Sequence, residues 1–344
     1  MIATTPSGSG RPAGTAPVPV TASPAPGASW SRRLAGRVAL LSTACVVAAA
    51  VQVPPPPEGA PTTPALTRLL ASGEVDAVAD GFSYAEGPAW HPDGYLLFAD
   101  SPVNRLLRWD PEKGTSLVRA PSFGVTAIAF DREGRLLATE HQNRRISRTE
   151  PDGTIVTVVD RFEGKRLNSP NDLVVGDDDT VFFTDPPYGL PGQRDGKELD
   201  FQGVFRLDPD GRLRLLVRDM SRPNGIGLSP DGRTLYVTDS SRVHLKAFTF
   251  KPDGTVGAGR VLAKMPPWKS GVQGVPDGLT VNASGHVLVA GPGGVWVFAD
   301  NGGRLGVIAT PEPPSAVAFG GPDGRTLFIT ARTRLYRVKM TVGR

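Results

Sequence analysis

The stretch RPNGIGLSPDGRTLYVTDS, residues 222–240, contains two short β-type runs on either side of the turn sequence SPDG. The runs NGIGL and TLYVTD have the length of strands, and a Pro-Asp-Gly turn between them is typical of a hairpin. Two further runs, HLKAFTF and GRVLAK, follow before the next hairpin begins. This part of the chain therefore predicts a unit of four consecutive strands.

The same unit recurs along the chain. The residue in the turn between its first two strands marks each copy, at Gly94, Gly134, Asp179, Gly232, Gly285 and Gly324. The markers are roughly 40 to 53 residues apart, which is the period of four-stranded propeller blades rather than of a sandwich or a barrel. The sequence therefore predicts an all-β fold, a six-bladed β-propeller.

The sixth unit supplies only three strands, the last of which is RLYRVKM, residues 334–340. The segment EVDAVADGF, residues 74–82, reads as a strand that precedes the first unit. We expect this N-terminal strand to complete the last blade, because closure of the ring removes exposed sheet edges. The prediction is one propeller domain over residues 65–344.

Residues 1–64 have a different composition and are expected to lie outside the propeller. The first 30 are rich in Pro, Ala, Gly, Ser and Thr, which is typical of disorder. From about residue 31 to 53, Arg32 and Arg33 precede an apolar run of about 14 residues, which resembles a twin-arginine export signal and is short for a membrane span. A stiff Pro-rich linker follows. These features predict export to the periplasm or the outside; a membrane anchor in the leader, or lipidation of Cys45, is the alternative.

The composition argues against several classes of protein. The net charge is +4 and no block of like charges occurs, which argues against a nucleic-acid partner. Cys45 is the only cysteine, so neither an intrachain disulfide nor a cysteine-based zinc site can form. The chain has no G-x-S-x-G elbow, which argues against a serine hydrolase. We expect a small-molecule substrate, no stable embedding of the propeller in a membrane, and a monomer or small homo-oligomer.

The residue eight positions before each marker forms a second regular series. These residues, called the ring positions below, are Glu86, Thr126, Asn171, Asn224, Asp277 and Ala316. Each is expected to begin the first strand of its blade, and first strands line the central channel of a propeller. The six side chains should therefore surround the axis, although Asn and Asp are also common in turns before strands.

Four of the ring positions carry oxygen donors, two of them charged and two neutral. Such a set describes a site for a hard divalent cation. The predicted metal ligands are Glu86, Asn171, Asn224 and Asp277. The predicted ion is Ca²⁺, with Mg²⁺, Mn²⁺ or Zn²⁺ as alternatives. Four protein ligands leave room for water or substrate on the ion, as in catalytic metal sites.

Several segments together resemble the SMP-30/gluconolactonase/LRE-like family. They are EGPAW, RLNSPNDLVV, FFTDPPYGL, RPNGIGLSPDGRTLYVTDS and PDGLTV, and the resemblance covers nearly all of residues 75–340. It implies a six-bladed propeller with metal-dependent lactone hydrolase activity. It also implies metal ligands at Glu86, Asn224 and Asp277, and a ligand or substrate contact at Asn171. The segment TEHQNRRISR, residues 139–148, is similar to the gluconolactonase branch.

The resemblance and the ring positions together suggest a mechanism of lactone hydrolysis. The cation would polarise the lactone carbonyl while water attacks it. The predicted catalytic carboxylates are Asp277 and Glu86, of which Asp277 would accept the proton of the water, unless the cation itself lowers the pKa of that water. Candidates for substrate contacts are Asn168, Asn171, His141, Arg144 and Tyr188.

Other functions stay open at this point. A phosphotriesterase, or a lactonase for long acyl chains, could use the same ring of ligands, since the fold does not choose the substrate. A non-enzymatic binding propeller stabilised by metal is the second alternative, although it has no reason to repeat ligand-type residues at one position. A strictosidine-synthase-like propeller would lack this set of ligands.

Overall fold

The computed structural model describes residues 63–267 and 273–344. The predicted leader with its export-signal-like segment lies outside the described residues, as does the linker up to residue 62. Within the described ranges the chain forms six sheets of four antiparallel strands each, plus one small hairpin. The prediction of a six-bladed propeller is confirmed.

The described chain begins with a short helix that the sequence analysis did not predict. Helix α1, Pro64–Leu69, has Thr63 as its N-cap, and the amide of Leu66 donates to Thr63 Oγ1 over 3.1 Å. Such a cap satisfies one of the amides that the start of a helix leaves free. Leu66 is buried in the apolar core near the end of the chain, and strand β1, Asp76–Asp80, follows. No helix in the described ranges is long and apolar enough to cross a membrane.

The first three blades follow one another in sequence, each with its strands in chain order. Blade one contains β2 Ala85–His91, β3 Tyr95–Asp100, β4 Arg105–Asp110 and β5 Gly114–Arg119. Blade two contains β6 Val125–Phe130, β7 Leu136–Glu140, β8 Arg145–Thr149 and β9 Ile155–Val159. The hairpin β10 Arg161–Phe162 and β11 Lys165–Arg166 then precedes blade three, which contains β12 Leu173–Val175, β13 Val181–Asp185, β14 Gln202–Leu207 and β15 Leu213–Met220.

The last three blades repeat this order. Blade four contains β16 Pro223–Leu228, β17 Thr234–Asp239, β18 His244–Thr249 and β19 Arg260–Lys264. Blade five contains β20 Leu279–Val281, β21 Val287–Gly291, β22 Gly294–Phe298 and β23 Arg304–Ala309. Blade six contains β24 Ala316–Gly320, β25 Thr326–Ala331 and β26 Arg334–Lys339, with β1 as its fourth strand. Short 3₁₀ turns occur at Ser101–Val103 and Pro191–Gln193.

The ring closes through the N-terminal strand, as the sequence predicts. Strand β1 pairs antiparallel with β26, so that Asp76 lies opposite Arg337 and Asp80 lies opposite Arg334. The first part of the propeller thereby becomes the outer edge of its last blade. Closure joins residues that are far apart in sequence and leaves β26 with a partner on both sides.

Apolar side chains fill the space between neighbouring blades. Phe183 and Phe205 of blade three are fully buried, stack with ring centres 5.2 Å apart, and share a core with Leu137 and Ile146 of blade two. Full burial of such a side chain contributes roughly 1.5–3 kcal/mol. These cores hold the blades in fixed positions around the axis.

Close contact between first strands sets the width of the channel. Gly87 and Gly225 directly follow the ring positions Glu86 and Asn224. A Cβ atom on Gly87 would lie 2.3 Å from the carbonyl oxygen of Thr126, and one on Gly225 would lie 2.2 Å from that of Asp277. Only glycine fits at such a distance, so the backbones of neighbouring blades touch directly beside the ring positions.

Candidate metal centre and active site

All six ring positions line one small cavity on the propeller axis, called the ring cavity below. Its volume is about 20 Å³, and its wall contains Glu86, Thr126, Asn171, Asn224, Asp277 and Ala316, with Asp172 and Ser315 between them. A space of this size holds about one water molecule or ion. All six blades thus bring a polar residue to one point, five of them at the ring position and blade six through the neighbouring Ser315.

The expectation that every ring position begins its first strand is wrong for two blades. Asn171 and Asp277 lie two residues before strands β12 and β20. Their amides nevertheless donate to the second strands, Asn171 N to Thr184 O and Asp277 N to Ala290 O, each over 2.9 Å. The second strand therefore fixes the position of Asn171 and Asp277 along the propeller axis, although both residues precede the first strand of their blade.

Hydrogen bonds orient the two amide side chains of the ring cavity. Asn171 Nδ2 donates to Asn224 Oδ1 over 2.6 Å, and Asn224 Nδ2 donates to Ser240 Oγ over 3.0 Å. The Ser240 hydroxyl donates in turn to the carbonyl of Pro276, next to Asp277. This chain fixes which end of each amide is oxygen, and it directs Asn224 Oδ1 toward the ring rather than toward the blade.

His141 completes this network on the side of blade two. Its Nε2 lies 3.1 Å from Asn171 Oδ1 and 3.5 Å from Thr126 Oγ1. Burial lowers the pKa of His141 to about 4, and the hydrogen bond to Asn171 offsets only part of this effect. The imidazole is therefore neutral at physiological pH and, with an amide oxygen as its partner, carries its proton on Nε2.

Three carboxyl groups stand at the wall of the ring cavity: Glu86, Asp172 and Asp277. Removal from water raises the pKa of Asp277 to about 8 and that of Asp172 to about 7, and it raises the pKa of Glu86 well above its usual value. Charge on Asp172 raises the pKa values of the other two further. Negative charge at this point of the propeller therefore requires compensation.

A divalent cation fits this donor set. Glu86 Oε2 is buried and has no hydrogen-bond partner within the described ranges, so one carboxylate oxygen is available as a ligand. No three His, Cys, Asp or Glu groups in the described part of the chain converge closely enough to hold a metal alone. The amide oxygens of Asn171 and Asn224 are therefore needed beside Glu86 and Asp277. Carboxylate and amide oxygens are ligands typical of Ca²⁺.

Asp172 was not predicted as a site residue. It lines the ring cavity and also a second cavity of about 360 Å³ between the first strands. Its two carboxylate oxygens accept hydrogen bonds from backbone amides, of Leu173 over 2.8 Å and of Ile226 over 3.0 Å. Asp172 thus links blades three and four next to the predicted ligands. In the sequence, only its position next to Asn171 indicated that it lies near the site.

Buried hydroxyl groups at the second strands hold the ligand residues from behind. Thr139 Oγ1 donates to the carbonyl of Asn171 over 3.0 Å, Thr184 Oγ1 to that of Asn224 over 2.7 Å, and Thr238 Oγ1 to that of Asp277 over 3.0 Å. Each threonine belongs to the blade before the residue that it holds. These threonines were not predicted as site residues, although the recurring endings ATE, FTD and VTD of the second strands contain them.

The carboxylates that follow these threonines fix the chain before each first strand. Asp185 accepts hydrogen bonds from the amides of Asn168 and Ser169, and Asp239 accepts from those of Ser221 and Arg222. Desolvation raises the pKa of Asp185 to about 7, and these amide donors offset part of that shift. These carboxylates organise turns and do not face the ring cavity.

The structure does not bring Asn168 and Arg144 to the ring cavity, contrary to their prediction as substrate contacts. Asn168 is fully buried, and its Nδ2 donates to the carbonyls of Asp185 and Phe201. Arg144 donates to the carbonyls of Leu167 and Gly196 over 2.7 and 2.9 Å. Both side chains instead hold the long segment between β13 and β14, residues 186–201. These side chains donate hydrogen bonds to backbone carbonyls of an irregular segment, Gly196 and Phe201, which would otherwise need another partner.

That segment carries Tyr188, which does lie beside the site. Its phenol interacts with Ser240, Asn224 and Asp277, and burial raises the pKa of Tyr188 to about 12. Gly189 packs so closely against blade two that a Cβ there would lie 2.6 Å from Cβ of His141. Tyr188 and His141 therefore both lie beside ring positions, His141 at Asn171 and Tyr188 at Asn224.

The family model for the SMP-30/Gluconolactonase/LRE-like region matches residues 84–333. This chain belongs to the SMP-30/gluconolactonase/LRE-like family. The matched range contains all six ring positions and all the second-strand threonines described above. The resemblance seen in the sequence motifs is confirmed.

Relatives within this family are similar over most of their length. A gluconolactonase of Zymomonas mobilis is 35% identical over 80% of this chain and 84% of that protein. A pentonolactonase of Haloferax volcanii is 32% identical over 71% of this chain and 80% of that protein. The solved structure of a gluconolactonase from Xanthomonas campestris has 34% identity and a TM-score of 0.75, and the match covers 81% of this chain and 93% of that one.

Proposed function

We propose that this protein hydrolyses sugar lactones and that it requires a divalent cation, Ca²⁺ before other ions, in the ring cavity. The lactonases at 32–35% identity support the substrate class. The observation that carries the cation is the buried, unpaired Glu86 Oε2 beside a second raised-pKa carboxyl group and two oriented amides. Glu86, Asn171, Asn224 and Asp277 would hold the ion.

The four proposed ligand residues are of two kinds, charged carboxylates and neutral amides. Glu86 and Asp277 supply two negative charges, which match a divalent ion. Asn171 and Asn224 supply neutral oxygens whose directions are fixed by His141 and Ser240. When bound, the cation would supply Lewis-acid stabilisation of the negative charge that develops on the lactone carbonyl oxygen.

Asp277 is the carboxyl group best placed to take the proton of the attacking water. It interacts with Tyr84 and Tyr188, which are not ring positions, as well as with the ring residue Asn224. Asp172, in contrast, has both oxygens engaged by backbone amides. A general base has to be ionised, and a positive charge in the ring cavity would favour the ionised form of Asp277.

Tyr188 and His141 would orient the sugar part of the substrate. Both are neutral at physiological pH, because burial raises the pKa of Tyr188 to about 12 and lowers that of His141 to about 4. Neutral hydrogen-bonding groups suit hydroxyl groups, which can donate and accept. The segment 186–201 that carries Tyr188 is fixed by Asn168 and Arg144, so this wall of the site is preformed.

The metal dependence is tested by chelation. Treatment with a chelator is expected to abolish hydrolysis of glucono-1,5-lactone, and added Ca²⁺ is expected to restore it. Full activity in a sample shown to be metal-free by elemental analysis would contradict the proposal. A panel with acyl lactones and phosphotriesters tests the substrate class, because a preference for either over sugar lactones would replace the proposed activity.

A further inference from the structure

Two arginines lie close to predicted metal ligands. Arg222 lies two residues before Asn224, and its guanidinium carbon is 5.7 Å from the centre of the Tyr188 ring. Arg332 lies in the turn between β25 and β26, and its carbonyl accepts a 2.7 Å hydrogen bond from the amide of Ala85, next to Glu86. One arginine therefore comes from blade four and one from blade six, each close in the chain or in space to a predicted ligand.

Two tyrosines connect these arginines to the same carboxyl group, Asp277. Tyr84 interacts electrostatically with Arg332, with Tyr188 and with the carboxyl groups of Asp277 and Glu86. Tyr188 interacts with Arg222 and again with Asp277. Both tyrosines also interact with each other, so the two arginines are grouped around Asp277 through one tyrosine each. This part of the site is called the mouth below.

Neither guanidinium forms an ion pair or a hydrogen bond with another residue of the described ranges, and both residues are half-buried. Other arginines near the ends of the strands are paired. Arg105 binds Asp100 over 2.7 Å, Arg145 binds Glu140 over 2.8 Å, and Arg218 binds Asp200 over 2.7 Å. A guanidinium stays charged in proteins, so the hydrogen-bond donors of Arg222 and Arg332 remain available to a ligand.

We propose that Arg222 and Arg332 bind an anionic group of the substrate, so that the preferred sugar lactone carries a carboxylate or a phosphate away from its lactone ester. This inference rests on the proposed function, because it assumes that the lactone carbonyl lies at the ring cavity. The far end of the sugar then points to the mouth. Guanidinium groups bind carboxylate and phosphate through paired, charge-assisted hydrogen bonds, which a neutral hydroxyl cannot match.

The test compares three lactones on the Ca²⁺-loaded full-length protein: neutral glucono-1,5-lactone, its 6-phosphate, and a glucaric acid lactone with a free carboxylate. The measured quantity is the ratio of kcat/KM for each anionic lactone to that for the neutral one. We expect this ratio to exceed one, and to fall about tenfold in Arg222→Gln or Arg332→Gln, and further in the double variant. The matched control is Arg218→Gln, whose exposed guanidinium is already paired with Asp200; it should keep the wild-type ratio.

The outcomes separate this inference from the proposed function. Hydrolysis of the neutral lactone with a ratio that the double variant does not change would overturn the anion site and leave the lactonase intact. An equal loss for all three lactones would also overturn it, because the arginines would then only balance the carboxyl groups of the ring. If no lactone is hydrolysed, the proposed function fails, and calorimetric binding of 6-phosphogluconate to wild type but not to the double variant would still support the anion site. The phosphate and carboxylate substrates show which anion is preferred.

Discussion

Asp277 combines two roles that oppose each other in the absence of a cation. It supplies negative charge to the predicted metal site, and it is enclosed beside Glu86 and Asp172, where burial and Asp172 raise its pKa to about 8. A carboxyl group in such a place stabilises a bound cation, and it destabilises the folded protein when no cation is bound. The same residue is also the proposed base, so its removal has separable effects on turnover and on stability.

The variant Asp277→Asn is expected to lose kcat by about 10²–10⁴-fold, the usual contribution of a general base, or more if cation binding also fails. It should nevertheless fold, and without metal it should be at least as stable as the wild type, because one repelling carboxyl group is gone. Steady-state assays with glucono-1,5-lactone and thermal unfolding after chelation measure the two effects. Near-normal turnover would exclude Asp277 as the base.

Stability without metal should depend on pH in an unusual direction. The pKa of Asp277 is raised from 3.8 to about 8 in the folded state, so between these values the folded protein holds a proton that the unfolded chain has released. The free energy of unfolding of the metal-free protein should therefore fall as pH rises from about 4 to about 8. Because a bound Ca²⁺ would replace protons at these groups, its stabilising effect should grow over the same range.

Melting temperatures with and without Ca²⁺ at pH 5, 6, 7 and 8 measure this dependence. Asp277→Asn serves as the control, since its shift on addition of Ca²⁺ should vary less with pH. A Ca²⁺-induced shift that is constant over this range in the wild type would show that protons and the cation do not compete at this site.

At the scale of elements, each blade positions a residue of the next one. The second-strand threonines donate to the carbonyls of Asn171, Asn224 and Asp277, and blade six repeats the arrangement when Ser315 Oγ donates to the carbonyl of Ala85. The ligands are thus held from outside their own sheets. A change that disturbs the packing between two blades should therefore also weaken binding of the proposed cation.

Thr238→Val tests this coupling. The Thr238 hydroxyl accepts from the amide of Gly225 in a buried bond and donates to the carbonyl of Asp277 in a partly buried one. Their loss is expected to cost about 1–3 kcal/mol of stability and to weaken Ca²⁺ binding about tenfold, whereas Thr238→Ser should retain affinity. The control is Ser147→Ala in blade two, whose buried hydroxyl donates to Glu140 Oε1 over 2.6 Å and bonds no ring position. Isothermal titration should show unchanged Ca²⁺ affinity there; an equal loss in Thr238→Val and Ser147→Ala would indicate general destabilisation.

The sequence allowed prediction of the repeated strands and of the single strand that completes the sixth unit, but not of irregular segments that occur once. The turn markers predicted all six blades and the convergence of Glu86 with Asp277, because a period fixes equivalent positions. Asn168 and Arg144 were misplaced, because each bonds a backbone carbonyl of the irregular segment 186–201, whose path no period describes. Helix α1 was missed for the same reason: a six-residue helix is too short to show an apolar period.

At the scale of the whole molecule, the propeller depends on strand β1 to close it. β1 covers β26, and helix α1 places Leu66 in the core of the last blades. A variant that lacks residues 1–62 is expected to keep the melting temperature of the full chain. Removal of residues 1–81 should lower it by more than 10 °C or cause aggregation, because it uncovers β26 and opens a core. Similar melting of the two truncated proteins would mean that closure contributes little.

The backbone contacts at Gly87 and Gly225 have a consequence for the choice of ion. Because neighbouring blades already touch there, the ring of ligands cannot contract without moving whole sheets. An ion smaller than the opening must therefore lose ligands or retain water instead of drawing the side chains inward. Mg²⁺ prefers oxygens at 2.0–2.1 Å and Ca²⁺ at 2.3–2.6 Å, so radius rather than charge should separate the two. Substitution of either glycine by alanine should alter the relative affinity for ions of different size. Two residues without side chains thus set the size of the ion that the ring of predicted ligands accepts.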